Sequence, residues 1–151
     1  MSIFAKILLA TDGSESSETA ARAALYLSKR LDSEMHIVCV APEYPYMHAY
    51  YDLRNQEEEE RLRREDKRML DEYVDHVRQA GGTVADSYLR MGEAAKEIVE
   101  LAEELDVGLV VLGSRGLGLI RRALMGSVSD SVVRHAHCPV MVIRSAMQQI
   151  V

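Results

Sequence analysis

The sequence predicts a doubly wound α/β fold, a sandwich of five parallel strands and four intervening helices in a single domain of residues 1–151. Apolar runs of strand length alternate along the chain with longer segments whose apolar residues recur at helical spacing. Three of the strand runs are apolar on both faces, as strands inside a parallel sheet are. The 151 residues match the usual length of one domain, and they contain no internal repeat, low-complexity segment or linker.

The first two strands and the first helix follow from short apolar runs and the residues that end them. Residues 3–10 stop at Thr11-Asp12-Gly13-Ser14, which predicts a buried strand followed by a turn. Ser16 and Ser17 are expected to cap the helix that follows. The predicted apolar face of that helix consists of Ala20, Ala21, Ala24, Leu25, Ser28 and Leu31. A second strand is predicted over 35–41.

The second helix is long and highly charged. It is predicted over about 55–80 and ends at Gly81-Gly82, where glycine tolerates a positive φ. The stripe expected to be buried consists of Leu62, Met69, Leu70, Tyr73 and Val77. Acidic residues four positions before basic ones stabilise a helix by about 0.2–0.5 kcal/mol per pair. The pairs here are Glu57–Arg61, Glu59–Arg63 and Glu60–Arg64, so the charge run is interpreted as a solvated helix face.

The second half of the chain alternates strand and helix twice more. Residues 83–89 alternate as a half-buried strand does, and 93–105 have helical spacing. The most apolar strand is predicted over 107–112. After a glycine-rich stretch, a short helix is expected over 127–135 and a last strand over 140–143.

Composition excludes several classes of protein. The formal net charge of −6 and the pI of about 5.4 disfavour a nucleic-acid binder, which needs clustered lysine and arginine. The N-terminus has no signal-peptide pattern, and the longest strongly apolar run, 107–112, is far shorter than the roughly 20 residues that span a bilayer. Cys39 and Cys138 lie in or beside apolar runs, as small buried residues in a reducing compartment do. We therefore expect a cytoplasmic protein without a membrane partner.

The ends of the first and fourth strands carry the residues that suit a ligand. In an open parallel sheet, ligands bind outside the carboxyl ends of the strands, where the strand order reverses. Strand four runs into Gly113-Ser114-Arg115-Gly116-Leu117-Gly118, and Gly126-Ser127-Val128-Ser129 opens the next helix. No acidic residue occurs over 107–129, whereas Arg115, Arg121 and Arg122 do. This locally cationic stretch is the part of the chain that suits an anion.

Two interpretations of these glycines remain open at the level of sequence. Glycines allow close backbone approach to a phosphate, helix-start N–H groups point at it, and Ser127 adds a hydroxyl. Alternatively the glycines form only a tight turn and Ser127 is only an N-cap. The chain has no Gly-Lys-Ser/Thr and hence no P-loop, and its glycines follow the fourth strand rather than the first, which disfavours a dinucleotide-binding domain.

The glycine spacing resembles a known signature. Gly113, Gly116, Gly126 and Ser127 are similar to the G-x2-G-x9-G-[S/T] nucleotide-binding signature of the universal stress protein family, in its ATP-binding branch. Other blocks resemble the family as well, so that the resemblance covers nearly the whole chain; they are Ile7-Leu8-Leu9-Ala10-Thr11-Asp12-Gly13-Ser14, Val110-Val111-Leu112-Gly113-Ser114-Arg115-Gly116 and His137-Cys138-Pro139-Val140.

The resemblance implies a Rossmann-like sheet of order 3-2-1-4-5, of the adenine nucleotide alpha hydrolase type, with ATP bound together with Mg2+. Ala10, Thr11 and Asp12 would line the base and ribose, Val40 would offer backbone groups to the adenine, and Gly113 would lie near the ribose. The residues implied around the triphosphate are Ser114, Arg115, Gly116, Leu117, Gly118, Leu119, Gly126, Ser127, Val128 and Ser129. Asp12 would either help to hold the magnesium ion or serve only the turn.

Two segments suit partners, and one motif does not suit a metal. The tyrosine-rich stretch Tyr44–Tyr51 either covers the nucleotide, meets a protein partner or packs on the second helix. The last strand, Val140–Arg144, carries no charge before its end, which invites pairing with another chain, and the resemblance implies a homodimer through it. His135-x-His137-Cys138 fits no usual zinc spacing, so no metal cluster is expected there.

The sequence thus predicts an ATP-binding regulatory protein of the stress response. No general base or arginine finger for rapid phosphoryl transfer is evident, so slow or absent hydrolysis is expected. The alternative is a signalling or chaperone-like adaptor in which nucleotide, AMP among the candidates, is incidental. A bulky residue at Gly116 separates the two, because an adaptor would keep its stress phenotype after losing the nucleotide.

Overall fold

The structure is a computed structural model and describes residues 2–41, 53–114 and 126–144. Strands and helices alternate throughout these residues. In chain order they are β1 (Lys6–Thr11), α1 (Glu15–Leu31), β2 (Glu34–Ala41), α2 (Leu53–Gln79), β3 (Val84–Met91), α3 (Ala94–Leu105), β4 (Leu109–Gly113), α4 (Ser127–His135) and β5 (Val140–Ile143). The strands form one parallel sheet of order β3-β2-β1-β4-β5. The predicted fold class and strand order are therefore confirmed.

Both faces of the sheet are covered, because successive side chains of a strand point to opposite faces. On one face, Ile7 and Leu9 of β1 pack with Ala20 and Ala24 of α1, and α2 completes this cluster. On the other face, Leu8 and its neighbours pack against α3 and α4. The two faces explain why β1, β2 and β4 have continuous apolar runs instead of an alternating pattern.

Two strands begin later than predicted. The first was expected from residue 3, but β1 begins at Lys6, and Ile3 is 76% exposed in the turn before it. The fourth was expected from residue 107, but the N–H of Val107 donates to the carbonyl of Ala102 and belongs to the end of α3. Val107 is nevertheless buried. The apolar run therefore predicted a core position correctly but not the residue at which the strand begins.

The first helix begins earlier than its predicted caps. Its N-cap is Ser14, whose hydroxyl accepts from the N–H of Ser17 at 3.3 Å, so that Ser16 and Ser17 lie inside the first turn. The prediction of Ser16 and Ser17 as caps was wrong because the helix begins two or three residues earlier than assumed. Leu31, predicted on the buried face, is 38% exposed at the last residue of the helix.

The second helix keeps its predicted buried stripe and only part of its predicted ion pairing. Glu59 and Arg63 form a pair, but Arg61 contacts Glu58 and Glu65 instead of Glu57. All these side chains are at least partly solvated, where exchange of one partner for another changes stability little. Among helices in the described ranges, none is long and apolar enough to cross a membrane.

Candidate functional site

The candidate site lies where the strand order changes direction. β1 is flanked by β2 and β4, and the helices that follow β1 and β4 cover opposite faces of the sheet. In open α/β sheets the crevice that binds a ligand lies at such a point, outside the carboxyl ends of the two neighbouring strands. Thr11 ends β1 and Gly113 ends β4 at this edge of the sheet.

The turn after β1 is held by hydrogen bonds of its own side chains. The Asp12 carboxylate accepts from the N–H of Ser14 at 2.9 Å, and the Thr11 hydroxyl accepts from the N–H of Gly13 at 3.2 Å. Gly13 has a φ of +79°, a conformation that favours glycine. One of the two roles left open for Asp12, the structural turn role, is therefore observed.

The Thr11 side chain points into the protein. Thr11 is 5% exposed, and its hydroxyl donates to that of Ser17 at 3.1 Å. The Ser17 hydroxyl in turn donates to the carbonyl of Ser14 at 2.8 Å. Thr11 thus contributes to the crevice through its backbone, while its side chain fixes the turn to the start of α1. Ala10 is buried at 8% exposure in the strand before it.

Gly113, at the end of β4, lies directly against the start of α1. A Cβ atom on Gly113 would meet the Ser16 hydroxyl oxygen at 2.4 Å and the Ser16 carbonyl carbon and oxygen at 2.9 Å. Because backbone atoms cannot move as a side chain does, only glycine fits at this close approach. Packing against Ser16 therefore requires glycine at position 113, independently of its predicted place beside a ligand. Val40, half-buried in β2, packs on the α3 side of the sheet.

The two ends of the glycine-rich connection are bound to each other. The Ser114 carbonyl accepts from the N–H of Gly126 at 2.5 Å and from the hydroxyl of Ser129 at 3.2 Å. Ser129 is 2% exposed, and its hydroxyl also contacts the carbonyl of Gly126 at 3.0 Å. The Ser129 side chain therefore joins the ends of the connection, which leaves its backbone N–H for any ligand contact.

The first turn of α4 presents backbone donors that have no partner within the helix. The N-cap is Gly126, so the interpretation of Ser127 as the N-cap was wrong, and Ser127 is the first residue of the helix. The first bond of the helical ladder runs from Asp130 N–H to the Gly126 carbonyl at 3.0 Å. The N–H groups of Ser127, Val128 and Ser129 precede it and have no partner within the helix. Such groups, with the helix dipole behind them, suit an anion.

Part of the predicted site lies outside the described residues. Five predicted phosphate contacts fall there, namely Arg115, Gly116, Leu117, Gly118 and Leu119. Arg121 and Arg122, which made the stretch cationic, and the tyrosine-rich segment Tyr44–Tyr51 lie outside them too. The structure therefore positions the two ends of the glycine signature, Gly113 and Gly126-Ser127.

No metal cluster is found among the described residues, where no group of three or more histidine, cysteine, aspartate or glutamate side chains is placed to hold an ion. His135 ends α4, and its ring contacts the carbonyl of Ser131 at 2.8 Å. A histidine at this position suits the negative end of the helix.

The hydroxyl network of Thr11, Ser14 and Ser17 was not predicted as part of the site. Its signal was present, because Ser14 and Ser17 have the spacing of a cap and a first-turn residue. The predicted caps were Ser16 and Ser17 instead of Ser14, so the pattern suggested no hydrogen bond between these hydroxyls.

Fold and site together define a class of protein, an open doubly wound α/β domain with a candidate anion site at its switch point. The family model of the universal stress proteins matches residues 4–144. The chain belongs to the universal stress protein family.

Relatives and solved structures agree with this assignment along nearly the whole chain. SH1215 of Staphylococcus haemolyticus is 34% identical over 147 residues, which cover 96% of this chain and 87% of that protein. The solved structure of hypothetical protein MJ0577 has a TM-score of 0.81 at 26% identity and covers 95% of this chain and 97% of that one. A universal stress protein from Archaeoglobus fulgidus, solved in complex with dAMP, has a TM-score of 0.65 at 24% identity. It covers 94% of this chain and 99% of that one.

Proposed function

We propose that this protein binds an adenine nucleotide, ATP in the first place, at the crevice between β1 and β4. The observation that carries the proposal is the start of α4, where three N–H groups without helical partners lie beside the joined ends of the glycine signature. The nucleotide would act as a regulatory ligand of a stress-response protein in the cytoplasm, with slow or absent hydrolysis.

The site has two parts in this proposal. The turn of Ala10, Thr11 and Asp12, with Val40, takes the base and ribose, while Gly113 lies near the ribose. The triphosphate lies against Ser114, Arg115, Gly116, Leu117, Gly118, Leu119, Gly126, Ser127, Val128 and Ser129. The Archaeoglobus fulgidus relative with bound dAMP supports the choice of an adenine nucleotide. The choice of ATP with Mg2+ rests on the intact glycine spacing.

Position 127 offers a test that separates a backbone donor from a side-chain donor. Proline is well tolerated at the first residue of a helix, and Gly126 has φ −72° and ψ 165°, which suit the residue before a proline. Ser127→Pro thus removes the N–H and the hydroxyl, whereas Ser127→Ala removes only the hydroxyl. We expect S127P to weaken ATP binding by about tenfold or more, and S127A to weaken it less, because hydrogen bonds to charged groups are the stronger ones.

The measurement is calorimetric titration with adenosine, AMP, ADP and ATP, with and without magnesium. The effect of S127P should grow with the number of phosphates and vanish for adenosine, while circular dichroism shows an intact fold. Equal losses for adenosine and ATP would place the triphosphate elsewhere. Failure of the unaltered protein to bind any of the four ligands would overturn the proposal and favour the adaptor function.

Nucleotide released by denaturing freshly purified protein gives an independent test. Near-stoichiometric ATP is expected if hydrolysis is slow on the timescale of purification. ADP or AMP would keep the site and reopen the question of turnover, which incubation of the purified protein with ATP then answers. The role of Asp12 is tested by measuring ATP affinity with and without magnesium in the unaltered protein and in Asp12→Asn. If the substitution abolishes the magnesium dependence, Asp12 holds the ion. If the dependence is unchanged, the Asp12 carboxylate serves the turn alone.

We also propose that the protein forms a homodimer through β5. This strand is at the edge of the sheet, and its apolar residues Val140, Met141 and Val142 are only partly buried. An apolar edge strand with open hydrogen-bonding groups favours pairing with a second copy.

A further inference from the structure

Tyr73 of α2 reaches the first turn of α1, just after the turn that follows β1. Its hydroxyl donates to the carbonyl of Ser17 at 3.0 Å, across 56 positions of sequence. This hydrogen bond links α2 to the start of α1. The tyrosine ring also lines a cleft of about 370 Å³ between the two helices, with Gly13 at one end of it.

The Tyr73 hydroxyl acts on the same residues that shape the turn. Ser17 receives the hydrogen bond of Tyr73 on its carbonyl and that of Thr11 on its hydroxyl. Thr11 in turn accepts from the N–H of Gly13. A continuous set of hydrogen bonds therefore connects α2 with the residue next to Asp12.

The environment keeps the phenol in its donating form. Burial, above all, raises the pKa of Tyr73; the Thr11 hydroxyl opposes this with a hydrogen bond, and the charges of Glu18 and Asp12 raise the pKa further. The phenol is thus protonated at neutral pH and donates to Ser17.

We propose that Tyr73 is a positioning residue of the nucleotide site, which sets the backbone of Thr11, Asp12 and Gly13 for the nucleoside part of the ligand. This inference rests on the proposed function, because it assigns a role within the same site. Tyr73 acts through Ser17 and Thr11 and does not itself touch the ligand.

Tyr73→Phe tests the role, since it removes the hydroxyl and keeps the ring that lines the cleft. We expect adenosine, AMP and ATP to bind about three- to tenfold more weakly, by the same factor for all three, which is the usual effect of one lost hydrogen bond. The amide signal of Gly13 in a 1H–15N spectrum should shift, because the Thr11 hydroxyl that it contacts loses its neighbour. Tyr26→Phe is the matched control, on an exposed tyrosine of α1.

The outcomes separate this role from a structural one. If Tyr73 served only to hold α2 on the sheet, Y73F would lower the melting temperature and leave the dissociation constants and the Gly13 signal unchanged. That result would overturn the proposal. A double-mutant cycle with Thr11→Val should show coupling between the two positions, and strictly additive losses would contradict the connection through Ser17. Absence of nucleotide binding in the unaltered protein would instead overturn the proposed function, together with this role.

Discussion

The hydroxyls of Thr11 and Ser129 bind backbone groups on the two sides of the candidate site, Thr11 at the N–H of Gly13 and Ser129 at the carbonyl of Ser114. Thr11 and Ser129 lie where the sequence placed them, yet both hydroxyls point inward and hold backbone together. Strand length and glycine spacing fix where a residue lies along the chain. Which group its side chain contacts depends on residues distant in sequence, and Tyr73 and Ser17 are such a case.

Cys39 allows a test at this scale. It is 4% exposed at the end of β2, and burial, followed by the charges of Asp66 and Asp12, raises its pKa from 9.0 to about 11. At a pH below both values, a rise of two units in the pKa lowers the thiolate fraction about a hundredfold. We expect the thiol of Cys39 to react with a disulfide reagent at pH 8 at least about a hundredfold more slowly in the native than in the denatured protein.

Cys138→Ser leaves Cys39 as the sole thiol for this measurement, and Cys39→Ser leaves Cys138 for comparison. Burial raises the pKa of Cys138 as well, but backbone hydrogen bonds lower it and this residue is only half-buried. Cys138 should therefore react faster than Cys39 in the native protein. Similar native rates for the two variants would contradict the buried position of Cys39.

The ends of the helices differ in how clearly the sequence marks them. Gly81-Gly82 predicted the end of α2, and Gly81 indeed has a φ of +95° just beyond Gln79. α1 and α3 end at Asp32 and Asp106, which have positive φ without being glycine. Glycine, which usually ends a helix in this conformation, is absent from both positions. These two helix ends could therefore be predicted only from the point where the apolar helical spacing stops.

Replacement of Asp106 by glycine is expected to stabilise the protein. A residue with a Cβ is disfavoured at φ +52°, and a carboxylate is poorly placed at the negative end of a helix. We expect Asp106→Gly to raise the free energy of unfolding by about 0.5–1 kcal/mol, less what glycine adds to the entropy of the unfolded chain. Glu100→Gly, at an exposed position inside α3, should lower it by about 1 kcal/mol. Urea denaturation measures both, and a loss of stability in D106G would contradict the argument.

At the scale of the whole molecule, sequence pattern determined the architecture almost completely. Five strands and four helices alternate as predicted within the described ranges, because burial on both faces of a parallel sheet leaves a strong apolar signal. The strand order came from the family resemblance rather than from the pattern, since apolar runs do not specify which strands are neighbours. The same limit applies to association between chains.

The edge of β5 offers a test of association. Pro139 and Ile143 both accept hydrogen bonds from the β4 side, at Val110 and Ser114. Bonding alternates along a strand, so the N–H of Val142 points to the open edge. Val142→Pro therefore removes an edge donor and keeps the ladder to β4. We expect sedimentation equilibrium to show at least about tenfold weaker dimerisation for V142P.

Val142→Thr, which keeps the N–H and nearly the same shape, is the control and should remain dimeric. Nucleotide binding should persist in the V142P monomer, because the proposed site lies at β1 and β4. A dimer of unchanged strength in V142P would assign the contact to another surface.

The bond between Ser114 and Gly126 has a consequence for how the chain may vary in length. Eleven residues separate the two, and an extended chain of that length reaches roughly 36 Å, whereas the fold requires a span of only a few ångströms. A much shorter turn would close the same gap, since closing a loop depends only weakly on its length. We therefore expect the proposed nucleotide site, and not closure of the chain, to constrain the number of these residues, so that insertions or deletions there should change ligand binding more than folding.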